Sequence, residues 1–142
     1  SLEADRAGGR LTMQVNGVNH INIIAADIEK TVQFYESVLD MKAQPIPMAP
    51  AGFNGRWIVD SQGQPIIHVQ AYNAKRHGEA QTGPTGMIDH IALTCEGFDD
   101  TKQRCEDLGV EYKVNDRRFG DLRQVFVTDP DNVRLELNFA GE

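Results

Sequence analysis

Cysteine is scarce in this chain. The two present, Cys95 and Cys105, do not make a disulfide framework. Long apolar runs are missing as well: none approaches the roughly 20 residues that cross a bilayer, so no membrane partner is expected. Positive charge is also in deficit, with 14 Lys and Arg against 21 Asp and Glu and a net charge of -7. Such a chain has no basic stripe to replace phosphate counterions, which argues against a nucleic-acid partner; Arg117 and Arg118 are a local pair and not a patch. No charged-then-apolar leader precedes the patterned sequence. With so little cysteine, this predicts a reducing, cytoplasmic setting.

What is present is a repeat. The first half reads VNHINIIAADIEKTVQFYESVLDMK and then WIVDSQGQPIIHVQAY; the second reads IDHIALTCEGFDDTKQRCEDLGVEYK and then VFVTDPDNVRLELNF. A shift of 70 residues lays His20 on His90, and a shift of 68 lays His68 on Glu136. At 142 residues the chain suits one domain. A copy of roughly 60 residues is a marginal folding unit, so the two copies are expected to fuse. Module one is expected over about 15–80, a linker over 81–86 (QTGPTG) and module two over about 87–139. Residues 1–14 are expected to be a disordered end or a vector remnant, since 1–11 are polar, contain glycine and lack periodicity.

Each half opens with a short alternating strand, 18–24 and 88–94, in which Ile21 and Ile23 fall on one face and His20 and Asn22 on the other. A helix follows each. Asp27 is the candidate N-cap of the first and Asp99 or Asp100 of the second. Ile28, Val32, Tyr35 and Leu39 form an apolar stripe, with Thr101, Cys105 and Leu108 a weaker one in the second copy, where Cys105 reads as a small core residue. Three strands come next. SQGQ separates 56–60 from 65–72, and DPDN separates 122–128 from 132–139. Two-residue turns would set Trp57 opposite His68, Val125 opposite Glu136 and Arg123 opposite Asn138. Val133, Leu135, Leu137 and Phe139 would then pack under the helix, leaving Arg134, Glu136 and Asn138 on the other face. The expected fold is α+β: two tandem βαβββ modules making a curved, mostly antiparallel eight-stranded cup with helices outside.

In such a cup His20, His68, His90 and Glu136 all point inward. Imidazole and carboxylate together suit one divalent metal ion: iron, nickel, zinc or manganese. Three or four protein ligands leave room for water or substrate, as Lewis-acid chemistry requires. Trp57 would wall the substrate pocket beside His68, with Phe53 and Tyr72 at the rim, and Arg123 on the cup face would hold a carboxylate or phosphate. His77 is expected in a solvent-exposed loop without a ligand role.

The duplication, the helix motif FYESVLDMK, the DHIAL strand and the ending VFVTDPDNVRLELNF resemble the vicinal oxygen chelate superfamily over about 15–139. That superfamily includes glyoxalase I, extradiol ring-cleaving dioxygenases, methylmalonyl-CoA epimerase and the fosfomycin-resistance and bleomycin-binding proteins. The resemblance implies metal ligands at His20, His90 and Glu136, on the first, fifth and eighth strands. His68 takes the fourth-strand position, where glyoxalase I has a glutamate and the epimerase a glutamine. There it would act as a fourth ligand, as a catalytic base with a pKa near neutrality, or as a side chain lining the substrate pocket beside a two-histidine, one-glutamate iron site.

The resemblance implies a metal-dependent enzyme acting on a small molecule chelated through neighbouring oxygens, as a glyoxalase I-like lyase or isomerase or as an extradiol-type dioxygenase. KAQPIPMAP follows Met41 where glyoxalase I has glutathione-holding arginines, which argues against a glutathione hemithioacetal. The alternative is a bleomycin-resistance type of protein that sequesters a drug or toxin without chemistry; such members generally lack the ligand set. The resemblance implies a homodimer, whether the cup forms within one chain or by exchange of halves between two.

Overall fold

The computed structural model describes residues 5–6, 9–10, 12–81, 83–119 and 121–142, with backbone alone at 5–6, 9–10 and 116–119. Part of the expected tail over 1–14 therefore lies outside the described residues, as does Thr82 of the expected linker. Within the tail, β1 (Asp5–Arg6) and β2 (Gly9–Arg10) pair antiparallel, so it is not featureless.

Module one runs β3 (Ile21–Ala25), α1 (Ile28–Ser37), β4 (Lys42–Gln44), β5 (Gly55–Val59) and β6 (Pro65–Ala71), followed by the short α2 (Ala74–His77). Module two repeats the plan as β7 (Ile91–Cys95), α3 (Phe98–Leu108), β8 (Lys113–Phe119), β9 (Leu122–Thr128) and β10 (Arg134–Ala140). Each forms a four-stranded mixed sheet, ordered β3-β6-β5-β4 and β7-β10-β9-β8. The βαβ-type return makes β3–β6 and β7–β10 parallel, and the hairpins make the remaining pairs antiparallel. This is the α+β fold of two tandem βαβββ modules that the repeat predicts.

The helix stripe is real. Asp27, in extended backbone, accepts from the Lys30 N–H, and Ile28, Thr31, Val32 and Tyr35 are buried on the inner face of α1. In module two the cap differs from expectation. Gly97 (φ +91) precedes the helix without a capping side chain, and the Glu142 carboxylate accepts instead from Gly97 N at 3.0 Å and Phe98 N at 2.8 Å. Asp99 and Asp100 lie in the first turn, where their charge still favours the helix N-terminus. The helix starts early because Phe98 must reach the core, where it is 1% exposed and meets Phe139 edge to face. Leu108, expected on the apolar stripe, is 50% exposed, whereas Cys105 is fully buried as anticipated.

Under the helices lie Val69, Val125, Leu135, Leu137 and Phe139, each nearly solvent-free. Burying a side chain of this kind contributes about 1.5–3 kcal/mol. The modules are held together by α1 and the β9–β10 turn. The Tyr35 hydroxyl donates to Asp129 Oδ2 at 2.7 Å, and Ala26 N and Thr31 Oγ1 donate to Asp131. Arg104 of α3 adds a hydrogen bond to the Ser37 carbonyl and an ion pair with Asp40.

The hairpin registers decide which residues share a face with the histidines. Both turns hold three residues, not the two assumed from SQGQ and DPDN. Asp60 N donates to Gln64 O around Gly63 (φ +80), and Asp129 N donates to Val133 O around Asn132 (φ +66). Each third loop residue is left-handed, as three-residue hairpins require. In module one a bulge at Ile66 offsets the change, because Val59 pairs with Pro65 but Ile58 with Ile67. Trp57 therefore does pair with His68. Module two has no such bulge between β9 and β10, so Glu136 pairs with Phe126 and not Val125, and Arg123 pairs with Phe139 and not Asn138. Phe126 is thus the counterpart of Trp57.

Candidate metal centre

His20 and His90 sit one residue before β3 and β7, not inside the strands. Each is preceded by a short side chain that fixes its ring. His20 Nδ1 lies 2.6 Å from Asn19 Oδ1, and His90 Nδ1 lies 2.8 Å from Asp89 Oδ2. Both oxygens are acceptors, so Nδ1–H donates and the Nε2 lone pair is left available. That is the tautomer a metal-binding imidazole adopts when a neighbouring oxygen holds its other nitrogen. Asp89 is anchored in turn by Arg134 Nη1, which donates to it at 3.1 Å. The hydrogen bond from His90, helped by Arg134, holds the Asp89 carboxyl below its ordinary range. Asn19 and Asp89 had no place in the sequence reading, although the repeated Asx-His dipeptide was there to be seen.

In module one His20 is joined by His68. Their ring centroids lie 6.3 Å apart, and Trp57 touches both rings, at 5.0 Å from His20 and 4.8 Å from His68. Phe53 also packs against His68, with ring centroids 5.9 Å apart. Its ring can lie there because Gly55 has no side chain: a Cβ would come within 2.7 Å of Phe53 Cε1. His68 Nε2 is buried without a hydrogen-bond partner. Burial first, and the nearby His20 second, push the His68 pKa below its ordinary value, so the ring is neutral at pH 7. An orphaned, neutral imidazole nitrogen is costly as mere filling and fits a group that takes a metal.

In module two His90 is joined by Glu136, with Nε2 and Oε1 3.6 Å apart and side-chain exposures of 37% and 17%. Asn138 Nδ2 donates to the other carboxylate oxygen at 3.1 Å. The four expected ligands are therefore present as two pairs. Among the described residues no three or more His, Cys, Asp or Glu side chains gather into a metal-holding group. His90 also borders an apolar cleft of about 230 Å³ between the edge strands β3 and β7, lined by Ile21, Ile23, Ile88 and Val133.

Trp57 is where the sequence placed it. Arg123 is not: the corrected register turns it to the helix side, where its guanidinium stacks 3.6 Å above the Phe98 ring. Gln124 takes the cup-face place opposite Asn138. Of the two rim candidates, Phe53 packs on His68 and the Tyr72 hydroxyl donates to the Gly78 carbonyl. His77, expected in an exposed loop, is half-buried in α2; its Nδ1 accepts from Asn73 N and its Nε2 lies 3.3 Å from Gln70 Oε1.

The model of the Glyoxalase/Bleomycin resistance protein/Dioxygenase superfamily matches residues 17–137. The chain belongs to this superfamily. It is 23% identical over 128 residues to "Glyoxylase I 4" of Arabidopsis thaliana, covering 88% of this chain and 71% of that protein. It is 25% identical over 130 residues to metallothiol transferase FosB of Bacillus licheniformis, with 88% and 76% covered. Among solved structures, a variant of fosfomycin resistance protein FosX from Listeria monocytogenes, complexed with Mn(II) and 1S,2S-dihydroxypropylphosphonic acid, superposes with a TM-score of 0.68 at 22% identity, covering 89% of this chain and 94% of that one. No described helix is long and apolar enough to cross a membrane.

Proposed function

We propose that this protein is a metal-dependent enzyme of the lyase or isomerase type, acting without redox change on a small molecule bound through two neighbouring oxygens. The observation that carries this reading is the matched pair of half-sites. Each offers an Asx-held imidazole with a free Nε2, and beside it a second donor, His68 Nε2 or Glu136 Oε1. The names of the relatives, a glyoxylase I and a metallothiol transferase, support chemistry without redox change, and the first of them supports the lyase type. His20, His90 and Glu136 would hold one divalent ion, manganese, iron, nickel or zinc, with His68 as a fourth ligand. Bound there, such an ion supplies Lewis acidity toward the substrate oxygens.

The chain's own residues do the rest. Asn19 and Asp89 keep both imidazoles in the ligating tautomer. Trp57 and Phe53 exclude water from one wall and give a flat apolar surface to the substrate's carbon skeleton. If His68 leaves the metal free, its lowered pKa makes it a base at neutral pH.

Because one chain gathers the ligands only in pairs, a second copy would complete each site, giving a homodimer. Apolar Val18, Ile24, Met87 and Ile88, all exposed in the single chain, support such an association. The reading is tested by the metal content of protein purified without chelator, followed by assays of the loaded protein. Turnover of 2-oxoaldehyde thiol adducts without oxygen uptake is expected. Oxygen uptake on catechols would replace it with the dioxygenase, and absence of any bound metal would leave only sequestration.

A further inference from the structure

The polar face of module two carries a row of amides that the ligand assignment does not use. Asn115 Nδ2 donates to Gln124 Oε1 at 2.9 Å, Gln124 Nε2 donates to Asn138 Oδ1 at 3.0 Å, and Asn138 Nδ2 donates to Glu136 Oε2 at 3.1 Å. The row crosses three strands because the ladders set Asn115 opposite Gln124 and Gln124 opposite Asn138, while Glu136 lies two residues from Asn138 on the same face of β10.

Its polarity is forced from one end. An ionised carboxylate only accepts, so Asn138 must turn its NH2 toward Glu136 and its oxygen toward Gln124. Gln124 must then offer its own NH2, which leaves its oxygen for Asn115. With Oε2 engaged, the other oxygen, Oε1, is the one nearest His90 Nε2. The row therefore does more than neutralise a half-buried acid. It selects one oxygen and fixes the rotation of the carboxylate.

We propose that the Asn115–Gln124–Asn138 row is a positioning device that makes Glu136 a single-oxygen metal ligand through Oε1, and that Gln124 sets metal affinity without touching either Glu136 or His90. This rests on the reading of Glu136 as a ligand. Without the Gln124 donor, Asn138 still turns its NH2 to the carboxylate but is no longer anchored through its oxygen, so the amide and the carboxylate can swing together. Glu136 then loses its fixed rotation. Module one cannot build the device, since its counterpart to the Gln124–Asn138 pair is Gly55 paired with Gln70.

The test is Mn2+ binding to the full chain, read from the electron paramagnetic resonance of the free ion, in wild type, Gln124→Leu, Gln124→Met and Glu136→Gln. A partner bonded directly to a ligand, as Asn138 is to Glu136, is worth about 10–100-fold in metal affinity, and Gln124, one hydrogen bond further out, belongs at the low end of that range. Both Gln124 variants are expected to weaken Mn2+ about tenfold, to shift the visible absorption of the Co2+-loaded protein, and to lower the metal-free melting temperature to the same modest extent, since both lose the same two part-buried hydrogen bonds. Because Met keeps the length and apolar stem of Gln, agreement between the two variants separates positioning from packing. If Glu136→Gln releases Mn2+ while both Gln124 variants bind within twofold of wild type with an unaltered Co2+ spectrum, the row has no positioning role. If wild type holds no Mn2+, or Glu136→Gln binds as tightly as wild type, the ligand reading falls and the row's role with it.

Discussion

The two modules share a backbone plan and the Asx-His dipeptide, yet they support their second ligands by different physics. His68 is packed among rings, those of Trp57 and Phe53. Glu136 is held by hydrogen bonds at the end of an amide row. Charge explains the division. A neutral imidazole tolerates an aromatic nest, and burial in it keeps the ring neutral. A carboxylate in the same nest would lose hydration without gaining donors, a penalty that donors such as Asn138 remove. Gly55 marks the divergence: it makes room for Phe53 and, by lacking a side chain, takes the place that Gln124 fills in module two.

The largest expected effects come from separating the halves. His20→Ala disables one half-site and Glu136→Gln the other, and each alone is expected to weaken Mn2+ by about 100-fold or more, beyond the loss of an outer-shell partner. If each site draws its halves from two chains, unfolding and refolding the two variants together restores intact sites in mixed dimers. About a quarter of the wild-type metal content is then expected from random pairing. A mixture that binds no more than its components places both halves within one chain.

The joint between the modules comes next. Tyr35 donates to Asp129 within a buried contact, and burial raises both groups above their ordinary pKa values. Tyr35→Phe removes the donor and leaves the carboxyl with backbone N–H groups from Asp131 and Val133. A hydrogen bond to a charged group is worth about 1.5–3 kcal/mol, so the urea midpoint is expected to fall by that equivalent at constant slope. An unchanged midpoint would mean that the packing of α1 and the Asp131 and Arg104 contacts join the modules without this hydrogen bond.

How these features were legible in the sequence follows the same division between local and distant causes. The α1 stripe, the Asp27 cap and the buried run Val133, Leu135, Leu137 and Phe139 are written in short-range periodicity, and all are in the structure. The register of the second hairpin was not legible, because DPDN permits a turn of either length and one residue inverts every side chain. That slip alone carried Arg123 to the wrong face and hid Gln124 and Phe126. In module one the same misjudged turn did no harm, since the bulge at Ile66 compensated for it. The pairing of ligands into half-sites was invisible for a different reason: it depends on how two sheets are set beside each other, which no spacing within a strand encodes.

Acidity should distinguish the modules more gently. The His68 pKa is lowered in the folded protein, so below its ordinary value of about 6.5 the unfolded chain takes up a proton that the folded chain refuses. Metal-free stability is therefore expected to be complete above pH 6.5 or so and to decline as pH falls below it. His68→Asn should flatten that decline. Denaturant titrations at pH 7.5 and 5.5 read the difference, and equal slopes in the two proteins would mean that the aromatic nest does not govern the ring's charge.

The smallest effect is expected where the change looks most disruptive. Deleting a residue inside a strand normally turns all that follows to the opposite face. Ile66 is an exception if it is the inserted residue of the bulge, because without it Pro65 still opposes Val59 and Ile67 follows directly opposite Ile58, the uninterrupted ladder seen at Thr128–Arg134 and Val127–Leu135 in module two. His68 would remain across from Trp57. Deletion of Ile66 is thus expected to cost no more than about 1–2 kcal/mol, mainly from its partly buried side chain, and to leave Mn2+ affinity within threefold of wild type. Loss of folding or of metal would show that the bulge shapes the His68 site itself, and the two modules would then differ in their backbone as well as in the side chains that support their ligands.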